Sequence, residues 1–212
     1  MWPTILHRDA WRKNLAENVR KRKKTASRQA ELLEIAAKIF AEQGYKETGI
    51  ESILKQAGLT GPALYRHFSS KQEILDTICV NSMAYGLGQL VAIDDDETLA
   101  PEEKLRQLLK VRLDYLFGPS GQSHILSVSQ VAHLSDAARE KIVAMQREYR
   151  ARCGAMLKLL RPTVTDGELN VIFFSMQQLT LYGIWHYKRR SLMPAQEYRE
   201  LLERMMWNTL MA

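Results

Sequence analysis

Between Thr48 and Lys71 the chain reads TGIESILKQAGLTGPALYRHFSSK, and this stretch leaves few folds open. Ile50, Ile53 and Leu54 recur at helical spacing, and Thr48 with Glu51 has the form of a capping box, in which each side chain answers an orphan amide at a helix start. A short helix is therefore predicted from near Gly49. Gly58 follows its last apolar residue, where a left-handed residue ends a helix and glycine enters that conformation cheaply. Thr60 is placed to cap a second helix, with Pro62 in its first turn, where a missing N–H costs nothing. Two short helices joined by a tight glycine turn make a helix-turn-helix, whose second helix is sized for a DNA major groove. Gly61, Pro62 and Ala63 put almost no side chain at its leading end, so backbone can come close to a phosphate or a base edge. Tyr65, His67 and Lys71 supply phosphate donors, while Leu64 and Phe68, four apart, face a core. An ordinary small helical hairpin has the same spacing, and spacing alone leaves that alternative open.

Charge separates the two readings. Residues 1–72 hold 14 Lys and Arg against 7 Asp and Glu, whereas residues 73–212 hold 16 against 17. The basicity sits with the helix-turn-helix, as expected of a nucleic-acid-binding module joined to a neutral partner domain. Three segments follow: a basic extension over residues 1–24, a helix-turn-helix domain over 25–72, and a larger helical domain over 73–212. Within the extension Trp11, Leu15 and Val19 fall four apart and allow a nascent helix. Its eight basic residues, ending in Arg20 to Lys24, could form an arm along DNA, with a solvated tail as the alternative.

Helical periodicity continues to the end. Leu32, Ile35, Ala36, Ile39 and Phe40 form one face before Gly44. Ser70 and Glu73 repeat the capping spacing ahead of a stripe from Ile74 to Leu90. Asp94, Asp95, Asp96 and Glu97 read as a solvated loop rather than a metal site, since no rigid ligand spacing accompanies them. Pro101 opens a helix bearing Leu105, Leu108, Leu109, Leu113 and Leu116, ended by Gly118 to Gly121. A short helix is predicted over Ser123 to His133 and a long one from about Asp136 to Leu160. Thr165 and Glu168 introduce a helix to about Tyr187 that is apolar on two faces: Leu169, Ile172, Phe173, Met176 and Gly183 on one, Val171, Phe174, Leu181, Tyr182 and Trp185 on the other. One intramolecular core covers one face only, so a second copy of the chain is expected on the other. Lys188, Arg189 and Arg190 then complement the negative end of that helix dipole. Pro194 opens a last helix. The expected fold is all-α.

No G-x-S-x-G, H-E-x-x-H, phosphate-binding glycine loop or dinucleotide fingerprint occurs, and His124 with His133 lacks a third metal ligand. An enzyme is not expected, nor a cofactor. Cys79 and Cys153 are isolated, which fits a reducing cytoplasm. No run of about 18 uninterrupted apolar residues suggests a membrane span. The competing function is a basic membrane-surface or scaffold protein that lays the segment from Trp11 to Lys24 on anionic lipid, without operator specificity.

The run from Arg28 to Leu75 resembles the DNA-binding domain of the TetR family of bacterial transcription regulators. AAKIFAEQGY from Ala36 to Tyr45, then Thr48, Ile53, Ala57-Gly58-Leu59, Leu64-Tyr65, His67-Phe68, Lys71 and Leu75 carry the resemblance. It implies an operator on double-stranded DNA, with phosphate contacts from Tyr65, His67 and Lys71 and base contacts from the start of the third helix. The DNA-facing set is then Lys24, Arg28, Thr48 and Gly49, with Thr60, Gly61, Pro62 and Ala63 opening the recognition helix. Gly49 stands where the family has serine or threonine, Leu54 replaces an alanine, and Gly61 brings no base-reading side chain.

The same resemblance implies a homodimer formed through the last two helices and a ligand-released repressor with an effector pocket among helices four to eight. Candidate lining residues are Met83, Leu87, Leu109, Tyr115, Tyr149, Phe173 and Met176, with Arg147 or Arg150 near the mouth for an anionic head group. Segments around LSDAAREKIVAMQREYRA and LYGIWHYKRR resemble the members that answer to fatty-acyl or steroid-derived CoA thioesters. An acyl-CoA or another hydrophobic anion is the expected effector.

Overall fold

The computed structural model describes residues 27–118, 121–190 and 193–212, and every regular element among them is helical. The extension over residues 1–24, with Lys24, lies outside the described residues. Helix α1 spans residues 27–43. It is followed by α2 (Ile50–Ala57), α3 (Gly61–Tyr65), α4 (Lys71–Asp94), α5 (Pro101–Phe117) and α6 (Gly121–Ser129). A 3₁₀ turn (Val131–His133) leads to α7 (Asp136–Leu160), α8 (Asp166–Arg190) and α9 (Ala195–Met211).

Most helix ends obey local chemistry. Gly44 closes α1 at φ +90°, and Gly58 closes α2 at φ +60° while the Leu59 N–H bonds the Leu54 carbonyl at 3.0 Å. Ser70 Oγ accepts the Glu73 N–H at 3.1 Å, and the Glu73 carboxylate accepts the Ser69 amide in return. Thr165 and Glu168 form the full reciprocal box, with the Glu168 carboxylate on the Thr165 amide at 2.7 Å.

Two expectations are corrected. The Thr48–Glu51 box does not form, because α2 starts one residue later with Gly49 as its N-cap, and no side chain caps it. The Thr48 hydroxyl instead donates to the Gly44 carbonyl at 2.7 Å. The short helix predicted over Ser123 to His133 is two elements, α6 from Gly121 and a 3₁₀ turn, since the chain leaves α-helical geometry at Gln130.

Two apolar cores organise the helices. The first joins α1, α2 and α3 through Phe40, Ile53, Leu64 and Phe68 to Ile74 and Leu75 of α4, and continues into Leu126, Leu134, Ala138 and Ile142. The second gathers Leu90 with the leucines of α5, Cys153, Met156 and Leu157 of α7, and the inner faces of α8 and α9. Helix α4 belongs to both, so the helix-turn-helix and the rest of the molecule share a packed element.

Candidate DNA-binding face and ligand cavity

Leu64 and Phe68 are fully buried and set the rotation of α3. That rotation leaves Tyr65 55% exposed and Thr60, Pro62 and Arg66 in solvent, with Gly61, Ala63 and His67 half-buried. Thr60 is the N-cap by backbone alone, so its hydroxyl makes no capping bond. A Cβ placed on Gly49 or Gly61 would meet nothing within 4 Å, so both backbones lie open. Arg66, exposed and without a recorded partner, was not singled out from the sequence, although a basic residue between Tyr65 and His67 was a usable signal.

Three residues expected on DNA face the protein instead. Thr48 is 1% exposed, with its hydroxyl and amide both bonded to the Gly44 carbonyl. Lys71 directs its ammonium at the carbonyls of Tyr45, Lys46 and Thr48, at 2.9, 3.3 and 2.8 Å, and lies 4.6 Å from the centre of the Tyr45 ring. An ammonium has three donors and all three are taken, so Lys71 ties α4 to the α1–α2 turn rather than reaching a phosphate. Arg28 pairs with Glu31 at 2.5 Å and donates to the Ala57 carbonyl at 2.9 Å, holding the end of α2 against α1.

The helix-turn-helix is also joined to the larger part by polar contacts. Gln72 donates to the His133 carbonyl at 2.7 Å, and Asp76 accepts the Ser135 amide at 3.1 Å. The Tyr45 and His133 rings are 5.6 Å apart.

A cavity of about 170 Å³ lies among α4, α5, α6, α7 and α8. Met83, Leu109, Tyr115, Tyr149, Arg150, Phe173 and Met176 all contribute to its wall. Leu87 does not. Ser82, Met83, Tyr85, Gly86 and Gln89 form the cavity side of α4, while Leu87 is turned toward the second core beside Leu90. Arg147 is exposed and lies outside the wall. Among the polar lining residues that the sequence reading did not place in the cavity, Arg112 and His124 stand out. Arg112 of α5 donates from Nε to Thr180 Oγ1 at 2.9 Å. His124 of α6 has an Nε2 closed to solvent and without a partner. The signal for Arg112 was its place in the stripe of Leu105, Leu108 and Leu116, at intervals of three or four residues.

Burial governs titration here. It pushes the His124 imidazole down to about 3, assisted by the nearby Arg112 cation. It pushes the Cys153 thiol up to about 12 and the Tyr149 phenol above its ordinary range. Burial also raises Tyr115, partly opposed by its hydrogen bond to Ser82 Oγ at 3.3 Å. These side chains are therefore uncharged at neutral pH.

Outside the bundle, Val171, Phe174 and Tyr182 of α8 and Met205 of α9 are exposed, Phe174 by 61%. A groove of about 500 Å³ runs between these helices, lined by Phe174, Leu179, Tyr182, Leu201 and Met205. The side chains of Trp185, Lys188, Arg189 and Arg190 lie outside the described residues. The acidic run is not wholly a solvated loop: Asp94 is the last residue of α4 and pairs with Arg152 at 2.7 Å, and Asp96 beyond it accepts the Thr98 amide. Among the described residues no cluster of metal-ligating side chains occurs, and no helix is long and apolar enough to cross a membrane.

An exposed helix-turn-helix carried on a larger helical bundle with an internal cavity defines a DNA-binding regulator. Residues 32–78 match the family model for bacterial regulatory proteins, tetR family. The HTH-type transcriptional repressor KstR2 of Mycolicibacterium smegmatis is 25% identical over 169 residues, covering 77% of this chain and 80% of that protein. A TetR-family transcriptional regulator from Bordetella parapertussis has the same fold, with a TM-score of 0.73 at 23% identity over 86% of this chain and 93% of its own. The structure of AibR in complex with isovaleryl coenzyme A and operator DNA aligns with a TM-score of 0.67 at 20% identity, over 84% and 97% of the two chains. Residues 32–78 thus carry a DNA-binding domain of the tetR family of bacterial regulatory proteins, and the remainder of the chain shares the fold of such regulators.

Proposed function

We propose that this regulator is a cytoplasmic, ligand-released repressor that binds a pseudo-palindromic operator as a homodimer. The DNA-binding domain is assigned to residues 25–72 and the effector-binding and dimerisation domain to 73–212. Tyr65, His67 and Arg66 hold phosphates, Thr60 to Ala63 with Gly49 approach the bases, and the apolar groove of α8 and α9 meets its copy. The effector is a hydrophobic anion, either an acyl-CoA, the class present in the AibR complex, or another small molecule with an apolar body and a negative charge.

One observation carries the reading: α4 lines the cavity with Ser82, Met83 and Gly86 and, some three turns earlier, holds the DNA-binding part through Lys71 on the Tyr45 and Thr48 carbonyls and Gln72 on the Tyr45 hydroxyl. A ligand that prefers one arrangement of α4 thereby shifts operator affinity by its differential affinity for the two arrangements. Selection from random duplexes followed by footprinting tests it. A protected two-fold site is expected, with protection lost on adding decanoyl-CoA or isovaleryl-CoA. Weak, salt-sensitive retention of every duplex alike, with tight binding to anionic vesicles, would replace it by the membrane-surface reading.

A further inference from the structure

Two arginines line the cavity without a carboxylate beside them, Arg150 exposed to water and Arg112 half-buried. Arg112 lies on the face of α5 turned toward α8, anchored by its Nε–H on Thr180 Oγ1 at 2.9 Å. Among the described residues Arg28, Arg106, Arg152 and Arg199 each meet a carboxylate, Arg161 donates to the Leu210 carbonyl at the end of α9, and Arg66, Arg139, Arg147, Arg150 and Arg204 are exposed. Arg112, by contrast, faces the cavity half-buried, with no acidic partner within ion-pair distance and only the uncharged hydroxyls of Thr180 and Tyr149 as partners. The wall contains no aspartate or glutamate at all. Its other polar members bring no negative charge, since Tyr149 and Cys153 stay protonated and His124 stays neutral. A guanidinium against leucine, phenylalanine and methionine is costly unless an anion or water answers it, and an apolar ligand that expelled the water would raise that cost.

The geometry points to a ligand with an apolar body and a terminal carboxylate, the carboxylate on Arg112 and the body against Leu105, Leu109 and Met176. This deepens the small-molecule reading proposed above and rests on it. A CoA thioester would bring a neutral carbonyl to the same cation and leave its charge unanswered. Its phosphates would have to remain outside a cavity of about 170 Å³, at the rim where Arg150 is exposed. The free acid is therefore the form Arg112 selects, because a planar fork of donors matches a carboxylate.

Calorimetric titration of the full-length protein tests this with matched probes: decanoate, decanol and decanoyl-CoA, and the steroid acid cholanate with the alcohol of the same skeleton. At least one acid is expected to bind about tenfold or more tighter than its alcohol. Arg112→Gln should bring that acid to the level of the alcohol while leaving the alcohol within about twofold. The wild-type comparison stands even if the variant fails to fold. Equal affinity of acid and alcohol, a preference that survives Arg112→Gln, or tighter binding of decanoyl-CoA than decanoate overturns the carboxylate assignment. If decanoyl-CoA still releases operator in those cases, the ligand-released repressor stands without it. Failure of every probe both to bind and to release operator overturns both.

Discussion

Lys71 and Arg66 are both basic and close to the recognition helix, yet their surroundings give them different work. Lys71→Met keeps the aliphatic stem over Tyr45 but leaves three carbonyls without their donor, so it should destabilise the protein by about 1–3 kcal/mol in urea denaturation. The salt dependence of DNA binding by the folded fraction should change little. Arg66→Ala should do the reverse, with unchanged stability and a plot of log affinity against log salt shallower by roughly one unit on all duplexes alike. His124 makes a pH prediction. Below about pH 6.5 the unfolded chain takes up a proton that the folded chain refuses until about pH 3, so stability falls as pH drops through that window. The slope from this residue is at most about 1.4 kcal/mol per pH unit. His124→Gln should flatten the stability curve between pH 4 and 6 by that amount, and an unaltered curve would show that His124 is hydrated in the folded state.

At the level of elements, the joint between α2 and α3 depends on Gly58. Its φ of +60° belongs to the left-handed region, and a Cβ there would meet nothing within 4 Å. Gly58→Ala therefore isolates backbone strain from any clash and should cost about 1 kcal/mol, lowering the melting temperature by roughly 2–4 °C. Gly58→Asn should lose less, because asparagine tolerates that conformation better than alanine. A larger loss from both would mean that α2 and α3 are repacked and not merely strained. The contacts of Gln72 and Asp76 belong to this scale as well. They hold the first turn of α4 against the segment between α6 and α7, next to the cavity wall at His124 and Ser127.

Over the whole molecule, α8 presents one apolar face to its own core and another to solvent. Val171, Phe174 and Tyr182 are each more than half exposed, and the groove beside them continues onto α9 through Leu201 and Met205. A two-fold pairing of these faces would cover them with an isologous interface. Phe174→Glu changes a residue outside the monomer core, so it should leave the circular dichroism spectrum intact while converting a dimer to a monomer in sedimentation at micromolar concentration. Operator affinity should fall with it, since each half-site would then be held alone, and the two half-sites of the wild-type footprint should lie about 35 Å apart. A stable wild-type monomer at that concentration would exclude this architecture.

Much of this protein was legible before any coordinates. Periodicity and cap residues located α4, α5, α7, α8 and α9, because capping and helical phase depend on residues three or four apart. The glycine turn and the pair Leu64 and Phe68 announced the helix-turn-helix for the same reason. The surplus apolar face of α8 was visible as a second stripe. Tertiary structure alone decided which polar side chains turn inward. Lys71 finds carbonyls 23 to 26 residues away, and Arg112 is anchored by Thr180, 68 residues along the chain. Leu87, one residue past Gly86, leaves the cavity for the core by a rotation that only the packing of α4 against its neighbours determines. A residue type states which bonds a side chain can make. Which groups stand within reach is settled when distant segments meet.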